Sequence, residues 1–301
     1  MDNDKKIVKK LKSVCKLIKF KLDLLNKNVL SEQDGNDLIF KIVETGNPCM
    51  ITRLGSVETR CLYPWMIGIE PEQKVLDNGM YCAGIFPPNK EENSKFAKIY
   101  SEAISKADVM ALCGVYKEKI VVNKYCSNAI FIRARSIEPY YFTNPWSRAL
   151  EGKRVLIVHP FIQSIKKQYA IREKIFDNKD VLPKFRSIEF VKAVQSNAGA
   201  NSGFENWSSA YFYMCNEIRN REFDIAIIGA GAYGLPLAAY VKSIGKIAIQ
   251  MSGATQLLFG IKGKRWDNHP IISKLYNEYW IRPSAEETPP KIEKVEGGSY
   301  W

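Results

Sequence analysis

The amino-acid sequence predicts an α/β fold: a Rossmann-like, mostly parallel sheet with helices on both faces, plus an N-terminal amphipathic helix. Two observations predict it. Continuous apolar runs such as KRVLIVHP and FDIAIIG are typical of strands that are buried on both faces. Helical patterns of about 10–15 residues separate these runs, and that alternation indicates parallel strands with crossover helices. A chain of 301 residues with 46% apolar composition can bury a core of this kind.

The first segment of the chain is strongly basic. Residues 1–30 contain nine lysines and three aspartates, a net +6 of the chain's +12. Apolar residues recur at steps of three and four between Ile7 and Leu25, which is the pattern of an amphipathic helix. One interpretation is peripheral contact of residues 5–25 with anionic lipids at the inner face of the membrane. The other is a helix that packs on its own domain and exposes its lysines to solvent.

The remaining elements follow in order along the chain. Strands are expected at 49–54, 107–114, 153–160, 187–194, 223–229 and 246–252, and helices at 31–45, 90–106, 162–176, 206–219 and 233–245. Asn144 and Pro145 indicate an N-cap and first residue of a further short helix. We therefore expect one α/β domain over residues 31–280. An extended tail over 281–301 is expected to pack on it through its terminal aromatic residues.

Composition excludes several classes of protein. No apolar run reaches the roughly 18 residues that cross a bilayer, and the first residues do not resemble a secretory signal, so a cytoplasmic location is expected. The seven cysteines include no C-x-x-C pair and are expected to be free thiols. With only two histidines, any metal would have to bind oxygen ligands. Aromatic and basic residues are not interleaved as in a nucleic-acid groove, so no nucleic-acid partner is expected.

A glycine-rich turn follows the strand FDIAIIG. Gly229, Gly231 and Gly234 form G-x-G-x-x-G between a strand and a helix, a context in which backbone amides can bind phosphate. A dinucleotide site would also need an acidic residue about 20 residues later, yet the next strand ends in Gln250. Two interpretations remain at this point, a phosphate or diphosphate site and a tight turn without a ligand.

A basic loop lies further along the chain. Lys262, Lys264 and Arg265 are three cations within four residues, with Gly263 between them and Trp266 after them. Such a loop can clamp a diphosphate, because an arginine binds two phosphate oxygens at once, and the tryptophan can stack on a base or sugar. The alternative is a solvated loop whose aromatic residues pack inward.

The strand CMITRL runs into a third candidate. Arg53 at its carboxyl end would point toward the crevice where α/β sheets bind ligands. Gly55 follows, Ser56 is the expected N-cap of the next helix, and Glu58 lies in that helix's first turn. A structural explanation suffices for these residues alone, since a carboxylate in the first turn interacts favourably with the helix dipole.

These stretches resemble a known family. MITRLGSVETR is similar to the R-[FL]-G-[DS]-x-E signature of GT-D glycosyltransferases and their relatives in bacterial polysaccharide biosynthesis. The block from Phe223 to Asp267, with IIGAGAYG, a turn containing Gln256 and then LFGIKGKRWD, resembles the second hallmark of that group. GKRVLIVHPF, ENWSSAYFYMCNEI and VEGGSYW also resemble it, so the similarity covers most of residues 38–301.

The resemblance implies transfer of a sugar from a nucleoside diphosphate-sugar to a cell-surface glycan acceptor, lipid-linked or not, as in capsule or exopolysaccharide synthesis. It also implies Mn²⁺ or Mg²⁺ bound through a D-x-E motif, in which Glu58 matches the glutamate and Ser56 replaces the aspartate. The nucleotide and its phosphates would contact residues of all three candidate stretches: Arg53, Gly55, Ser56, Gly229, Gly231, Gly234, Gln256, Lys262, Lys264, Arg265 and Trp266.

Activation of the acceptor needs a further group. His159 follows the strand KRVLIV and can serve as a general base or orient a hydroxyl. Glu58, Glu205 and Asp267 are the rival carboxylates. Two other functions stay open: a non-catalytic nucleotide-binding or scaffolding protein of polysaccharide assembly, and an oxidoreductase that uses a nucleotide cofactor.

Overall fold

A computed structural model describes residues 28–295 and 297–301. The predicted amphipathic helix and its lipid contact fall on residues 5–25, outside the described part. The α/β prediction is confirmed by a sheet of eight strands, all parallel. The strands are β1 (Val29–Leu30), β2 (Cys49–Arg53), β3 (Val109–Leu112), β4 (Ile130–Arg133), β5 (Arg154–His159), β6 (Ser187–Lys192), β7 (Ile225–Ile228) and β8 (Ile247–Gln250).

The strand order is β1-β4-β3-β2-β8-β7-β5-β6. β2 and β8 lie side by side at the middle, with Ile51 opposite Ile249. On one side of this pair the chain continues outward through β3 to β4, and on the other side lie β7 and β5. A change of direction of this kind opens a crevice beyond the carboxyl ends of the strands, where open α/β sheets bind ligands.

Helices cover both faces of the sheet. They are α1 (Glu32–Thr45), α2 (Ser56–Met66), α3 (Gln73–Asn78), α4 (Lys90–Ile104), α5 (Glu118–Tyr125), α6 (Ile162–Ala170), α7 (Trp207–Arg219), α8 (Gly234–Ser243) and α9 (Ala254–Leu258). Alternate residues of β7 enter separate cores: Ala226 and Ile228 pack with α2, α4, α7 and α8, whereas Ile225 and Ile227 pack with α1, α6 and α9. This two-residue alternation explains why the strands are apolar throughout.

The sequence identified the long elements and missed short ones. Each expected strand and long helix is present, but β1, β4, α3, α5 and α9 were not predicted, since two to eight residues carry too little periodic signal. The helix expected over 162–176 ends at Ala170, and a 3₁₀ turn, Arg172–Lys174, follows.

The expected cap at Asn144 is wrong. The short helix is a 3₁₀ turn, Trp146–Leu150, and Pro145 before it is extended, with ψ 147°. The buried side chain of Asn36 explains the difference. Its Nδ2 donates to the Asn144 carbonyl at 2.9 Å and its Oδ1 accepts from the Trp146 amide at 2.8 Å, so α1 satisfies the groups that a cap would use.

The last twenty residues pack on the body of the protein through two short 3₁₀ turns, Ala285–Glu287 and Ile292–Lys294. Glu287 is 2% exposed and accepts hydrogen bonds from the Gln163 amide at 2.7 Å and from the Ser164 amide at 3.3 Å. Its carboxylate thereby caps the amino terminus of α6, more than a hundred residues earlier. The Trp301 indole donates to the Glu287 carbonyl at 3.1 Å, which anchors the end of this segment.

No helix within residues 28–295 or 297–301 is long and apolar enough to cross a bilayer. Of the six cysteines of the described part, Cys49, Cys61, Cys126 and Cys215 are buried.

Candidate functional site

A cavity of about 400 Å³ lies beyond the carboxyl ends of the strands. Five strands supply residues at or just after their ends: Arg53 ends β2, His159 ends β5, Ala193 follows β6, Gly229 follows β7, and Ser252 lies two residues after β8. The cavity therefore lies at the crevice that the strand order creates. It brings together part of each of the three stretches that the sequence singled out.

The amino terminus of α2 opens into this cavity. Its N-cap is Gly55, with φ −97° and ψ 145°, and no side chain caps it. The expected N-cap Ser56 is instead the first helical residue, which is a correction of one position. The backbone amides of a first helical turn have no intrahelical acceptor, so the amides of Ser56 and Val57 are available to a ligand in the cavity.

Glycine is required at position 55 by the side chain of Glu58. A Cβ atom there would lie 2.0 Å from Glu58 Oε2. The carboxylate thus folds back over the cap residue and lines the cavity beside the open helix end. The R-L-G-S-x-E stretch is a compact unit in which the glycine makes room for the glutamate.

The three glycines of G-x-G-x-x-G serve different purposes. A Cβ on Gly229 would lie 2.6 Å from His159 Cδ2, so glycine permits β5 and β7 to present their ends together. Gly231 has φ +51°, a conformation that favours glycine, and both line the cavity. A Cβ on Gly234 would lie 3.2 Å from the Gln250 side chain, and Gly234 does not line the cavity. The sequence predicted phosphate contact from all three, and two are placed for it.

Gln250 connects the two central strands. Its Oε1 accepts from the Thr52 hydroxyl and from the Arg53 amide, both at 2.9 Å, and its Nε2 donates to Ser252 at 3.1 Å. The side chain is 3% exposed, so these bonds occupy it inside the protein. A ribose-binding carboxylate, which a dinucleotide site would need at this strand end, is replaced by a structural amide.

Arg53 and Glu138, a carboxylate that the sequence did not indicate, both line the cavity. The pKa of Arg53 is raised, chiefly by Cys113 and further by Glu138, against the lowering effect of burial. Burial raises the pKa of Glu138, against the lowering effects of Arg53 and of a 2.9 Å hydrogen bond from Tyr140. Glu138 lies between two 3₁₀ turns after β4, a strand that was itself not predicted, so no motif marked it.

His159 is held as a neutral ring. It is 3% exposed, its Nδ1 accepts the Phe161 amide at 3.0 Å, and burial lowers its pKa to about 3. The proton of the neutral ring is therefore on Nε2, and the side chain can donate a hydrogen bond into the cavity. Of the two roles expected for it, this geometry favours the hydroxyl-orienting donor over the general base.

The basic loop contributes one of its three cations to the cavity. Arg265 lines it together with Trp266. Lys262 Nζ lies 5.2 Å over the ring of Tyr276, and Lys264 Nζ donates to the Gly297 carbonyl at 3.1 Å, so these two lysines, expected to bind phosphate, do not line it.

Buried Gln256 holds this loop against residues 297–301. Its Nε2 donates to the carbonyls of Lys262 at 3.2 Å and Tyr300 at 3.0 Å. The Arg265 guanidinium lies 5.0 Å over the Tyr300 ring and 5.4 Å over Trp266. Aromatic faces thus hold the cation at the cavity wall.

The two other carboxylate candidates lie elsewhere. Asp267 accepts two hydrogen bonds from Arg282 at 2.8 Å, and Glu205 is exposed before α7. Neither lines the cavity, so the carboxylates placed for chemistry there are Glu58 and Glu138.

Oxygen ligands for a cation are few. Within residues 28–295 and 297–301, no group of three or more His, Cys, Asp or Glu side chains is arranged to hold a metal. Glu58, Glu138 and Ser56 line the same cavity. Magnesium commonly binds through one or two carboxylates plus substrate phosphates and water. The residues therefore fit an ion that arrives with a phosphorylated ligand.

Comparison of the chain with protein-family models, with curated proteins and with solved structures finds no match in any of the three.

Proposed function

We propose that this protein is a glycosyltransferase that binds a nucleoside diphosphate-sugar in the cavity and transfers the sugar to a cell-surface glycan acceptor. One observation carries the proposal. The open amino terminus of α2, the Gly229–Gly231 turn and the cations Arg53 and Arg265 converge on one cavity of about 400 Å³. Amide donors and arginines around one space are the chemistry of diphosphate recognition.

The diphosphate binds between the α2 terminus and Arg265 in this proposal. The helix end supplies amides and a partial positive charge, and arginine supplies paired N–H donors. Both interactions strengthen as negative charge develops on the leaving diphosphate, so they favour bond breaking as well as binding. Trp266, Tyr300 and Trp301 line the adjoining wall and offer flat surfaces to the base or the sugar.

In the transfer, an acceptor hydroxyl oxygen forms a bond to the anomeric carbon. The bond from that carbon to the diphosphate oxygen breaks, and the diphosphate leaves with the electron pair. The hydroxyl proton passes to a carboxylate, for which Glu138 and Glu58 are the candidates. The Nε2–H of His159 orients a hydroxyl group. A divalent cation bound by the donor phosphates and Glu58 would neutralise charge on the leaving group.

A neighbouring groove offers a path for the acceptor. It measures about 320 Å³, meets the main cavity at Ser196, and has the aromatic residues Tyr81, Phe86 and Phe204 on its walls. The C–H faces of sugar rings pack against aromatic side chains, while Asn201 and Ser202 provide hydrogen-bonding groups. An acceptor glycan in this groove would reach the donor sugar past Ser196.

Ser56 favours a second function, a nucleotide-binding protein without turnover. A serine stands where the resembled motif has its aspartate, and such a loss is typical of a site that retains binding after losing chemistry. The oxidoreductase alternative has less support, because Gln250 is occupied within the sheet.

Binding and turnover are tested in two stages. In the first, UDP, GDP and ADP are titrated with and without Mn²⁺. A nucleotide at a hundred times its dissociation constant stabilises the protein by about 2.7 kcal/mol, which a thermal-shift assay detects. Failure of all three to bind would overturn both nucleotide-dependent functions.

In the second stage, release of nucleotide from the matching sugar donor is measured for the wild type, Glu58→Ala and Glu138→Gln, with Glu205→Gln as a control outside the cavity. The glycosyltransferase proposal expects the two cavity variants to lose turnover while Glu205→Gln retains it. Tight binding with no release from any donor sugar of that nucleotide would favour the non-catalytic function.

A further inference from the structure

An apolar surface lies at the end of α2 opposite the cavity. Trp65 is 36% exposed, and the turn that follows presents Ile67 at 47% and Ile69 at 57%. This turn is well ordered, because the Ile67 amide donates to the Tyr63 carbonyl at 3.2 Å and the Ile69 amide to the Pro64 carbonyl at 3.0 Å. Large apolar side chains are thus held outward in a fixed arrangement.

α5 extends the same surface. Lys124 Nζ donates to the Met66 carbonyl at 3.0 Å, which joins the two helices. Ile120, 44% exposed, lies four residues before Lys124 and therefore on the same helix face. We call Trp65, Ile67, Ile69 and Ile120 the α2–α5 patch.

Cations supported by aromatic rings border the patch. The Arg60 guanidinium lies 4.5 Å over the Tyr116 ring, and Lys117 Nζ lies 5.2 Å over Tyr63. The Tyr63 and Tyr116 rings pack edge to face at 5.8 Å. The border is therefore a row of amphipathic side chains with charged ends.

Acidic residues near the patch cancel only part of this charge. Glu118 is buried and accepts the amides of Cys113 and Gly114, so it turns inward. Glu70 pairs with Lys90, and Glu72 is exposed next to the apolar turn. Arg60, Lys117, Lys119 and Lys124 outnumber it.

We propose that the α2–α5 patch docks this protein on an anionic lipid bilayer. Exposed tryptophan and tyrosine favour the membrane–water interface, and isoleucines on a protruding turn can enter the acyl boundary. Lysine and arginine extend their charged ends to the lipid phosphates while their stems cover apolar surface. A protein partner would equally cover apolar side chains, but the cationic border complements a negatively charged surface.

Docking at this surface would bring the cavity close to the bilayer. α2 has eleven residues, which span about 16 Å at 1.5 Å per residue, and its other end opens into the cavity. Val115 lines the cavity and is followed directly by Tyr116 of the border. A lipid-linked acceptor would lie within this distance, although the docking itself does not depend on the proposed function.

Vesicle co-sedimentation tests the proposal on the full chain. The probes are phosphatidylcholine vesicles with and without about 30% phosphatidylglycerol. We expect the wild type to bind the anionic vesicles and Ile67→Asp/Ile69→Asp to bind roughly tenfold more weakly. Arg60→Gln/Lys117→Gln should lose much of the salt-sensitive part of binding. Residues 1–27 are present in every variant, so differences in vesicle binding between variants arise from the α2–α5 patch.

Phe212→Asp is the matched control, since Phe212 is 61% exposed on α7, away from the patch. It should bind vesicles like the wild type, and circular dichroism confirms that each variant is folded. Equal vesicle binding by the wild type and Ile67→Asp/Ile69→Asp would overturn the proposal, as would no binding by the wild type. Self-association that the double variant abolishes, without vesicle binding, would assign the patch to a second copy of the chain instead.

Discussion

Two helices begin at the same edge of the sheet, and their amino termini differ in whether a side chain caps them. α6 follows β5 and is closed by the buried carboxylate of Glu287, which takes the amides of its first turn. α2 follows β2, carries no side-chain cap, and opens into the cavity. Because unsatisfied amides are costly when buried without a partner, an open end at a cavity indicates a place for an external acceptor. The contrast separates a structural helix end from a binding one.

The largest expected effect is at the closed end. Glu287→Ala should lower the free energy of unfolding by about 3 kcal/mol, because buried amides and the Ser164 hydroxyl lose their acceptor. Urea denaturation measures it. Glu287→Gln, which keeps one acceptor oxygen, should cost about half as much, and exposed Glu205→Ala should change stability by less than about 0.5 kcal/mol. A loss below about 1 kcal/mol for Glu287→Ala would show that the cap is dispensable.

At the open end, Arg265→Ala should weaken nucleoside diphosphate binding by about 30- to 100-fold, or roughly 2–3 kcal/mol, through loss of a charged pair with phosphate. Lys264→Ala is the control, since that lysine bonds to the Gly297 carbonyl and does not line the cavity. Isothermal titration calorimetry should show less than about a threefold effect for it. Equal losses for the two variants would mean that general positive charge, and not the cavity, drives binding.

His159 also satisfies the capped amino terminus of α6, because its Nδ1 accepts a hydrogen bond from the Phe161 amide directly before that helix. Its pKa is lowered to about 3 in the folded protein. The unfolded chain, with a histidine pKa near 6.5, binds the proton first, so stability is full above that value and falls as pH drops below it. This group alone should remove about 2 kcal/mol between pH 7 and pH 5.

Stability of the wild type and of His159→Asn should therefore be compared across that range, and the slope for His159→Asn should be shallower. Identical slopes would contradict a neutral buried ring. Turnover, if measured in parallel, should show no titration of His159 between pH 5 and pH 8.

The smallest effect is expected when a carboxylate is added at the open amino terminus of α2, as Glu287 already provides at α6. Ser56→Asp places a carboxylate in the first turn of α2, which should stabilise the helix by about 0.5 kcal/mol. The same charge should weaken metal-free nucleotide binding by roughly tenfold, and Mn²⁺ should restore it. Ser56→Asn is the uncharged control. Unchanged metal-free binding by Ser56→Asp would place the phosphates away from α2.

The sequence predicted the features that local patterns encode. Apolar runs located the long strands, and strand ends then indicated Arg53, Gly229 and His159, all of which line one cavity. The position of Ser56 was wrong by one, since a serine before a helix looks like a cap unless the role of Gly55 under Glu58 is known.

The features that were missed depend on contacts between distant segments. Glu138 follows a strand of four residues and has no motif, yet the fold places it in the cavity. Glu287 lies in a segment that reads as an extended tail, and its cap joins it to Ser164. Asp267 was a candidate base on the strength of its sequence neighbours alone, but in the structure it pairs with Arg282. No periodic pattern records partners of this kind.

Residues 299–301 complete a wall of the cavity, so the cavity is finished only when this segment has folded onto the body. A Cβ on Gly253 would collide with Tyr300, and the Arg265 amide donates to the Ser299 carbonyl, so this wall forms only when both segments are in place. Arg53, far earlier in the chain, lines the same cavity. Nucleotide affinity should therefore appear only once residues 299–301 have docked on the body, so nucleotide capture would report that two segments distant in sequence have packed together.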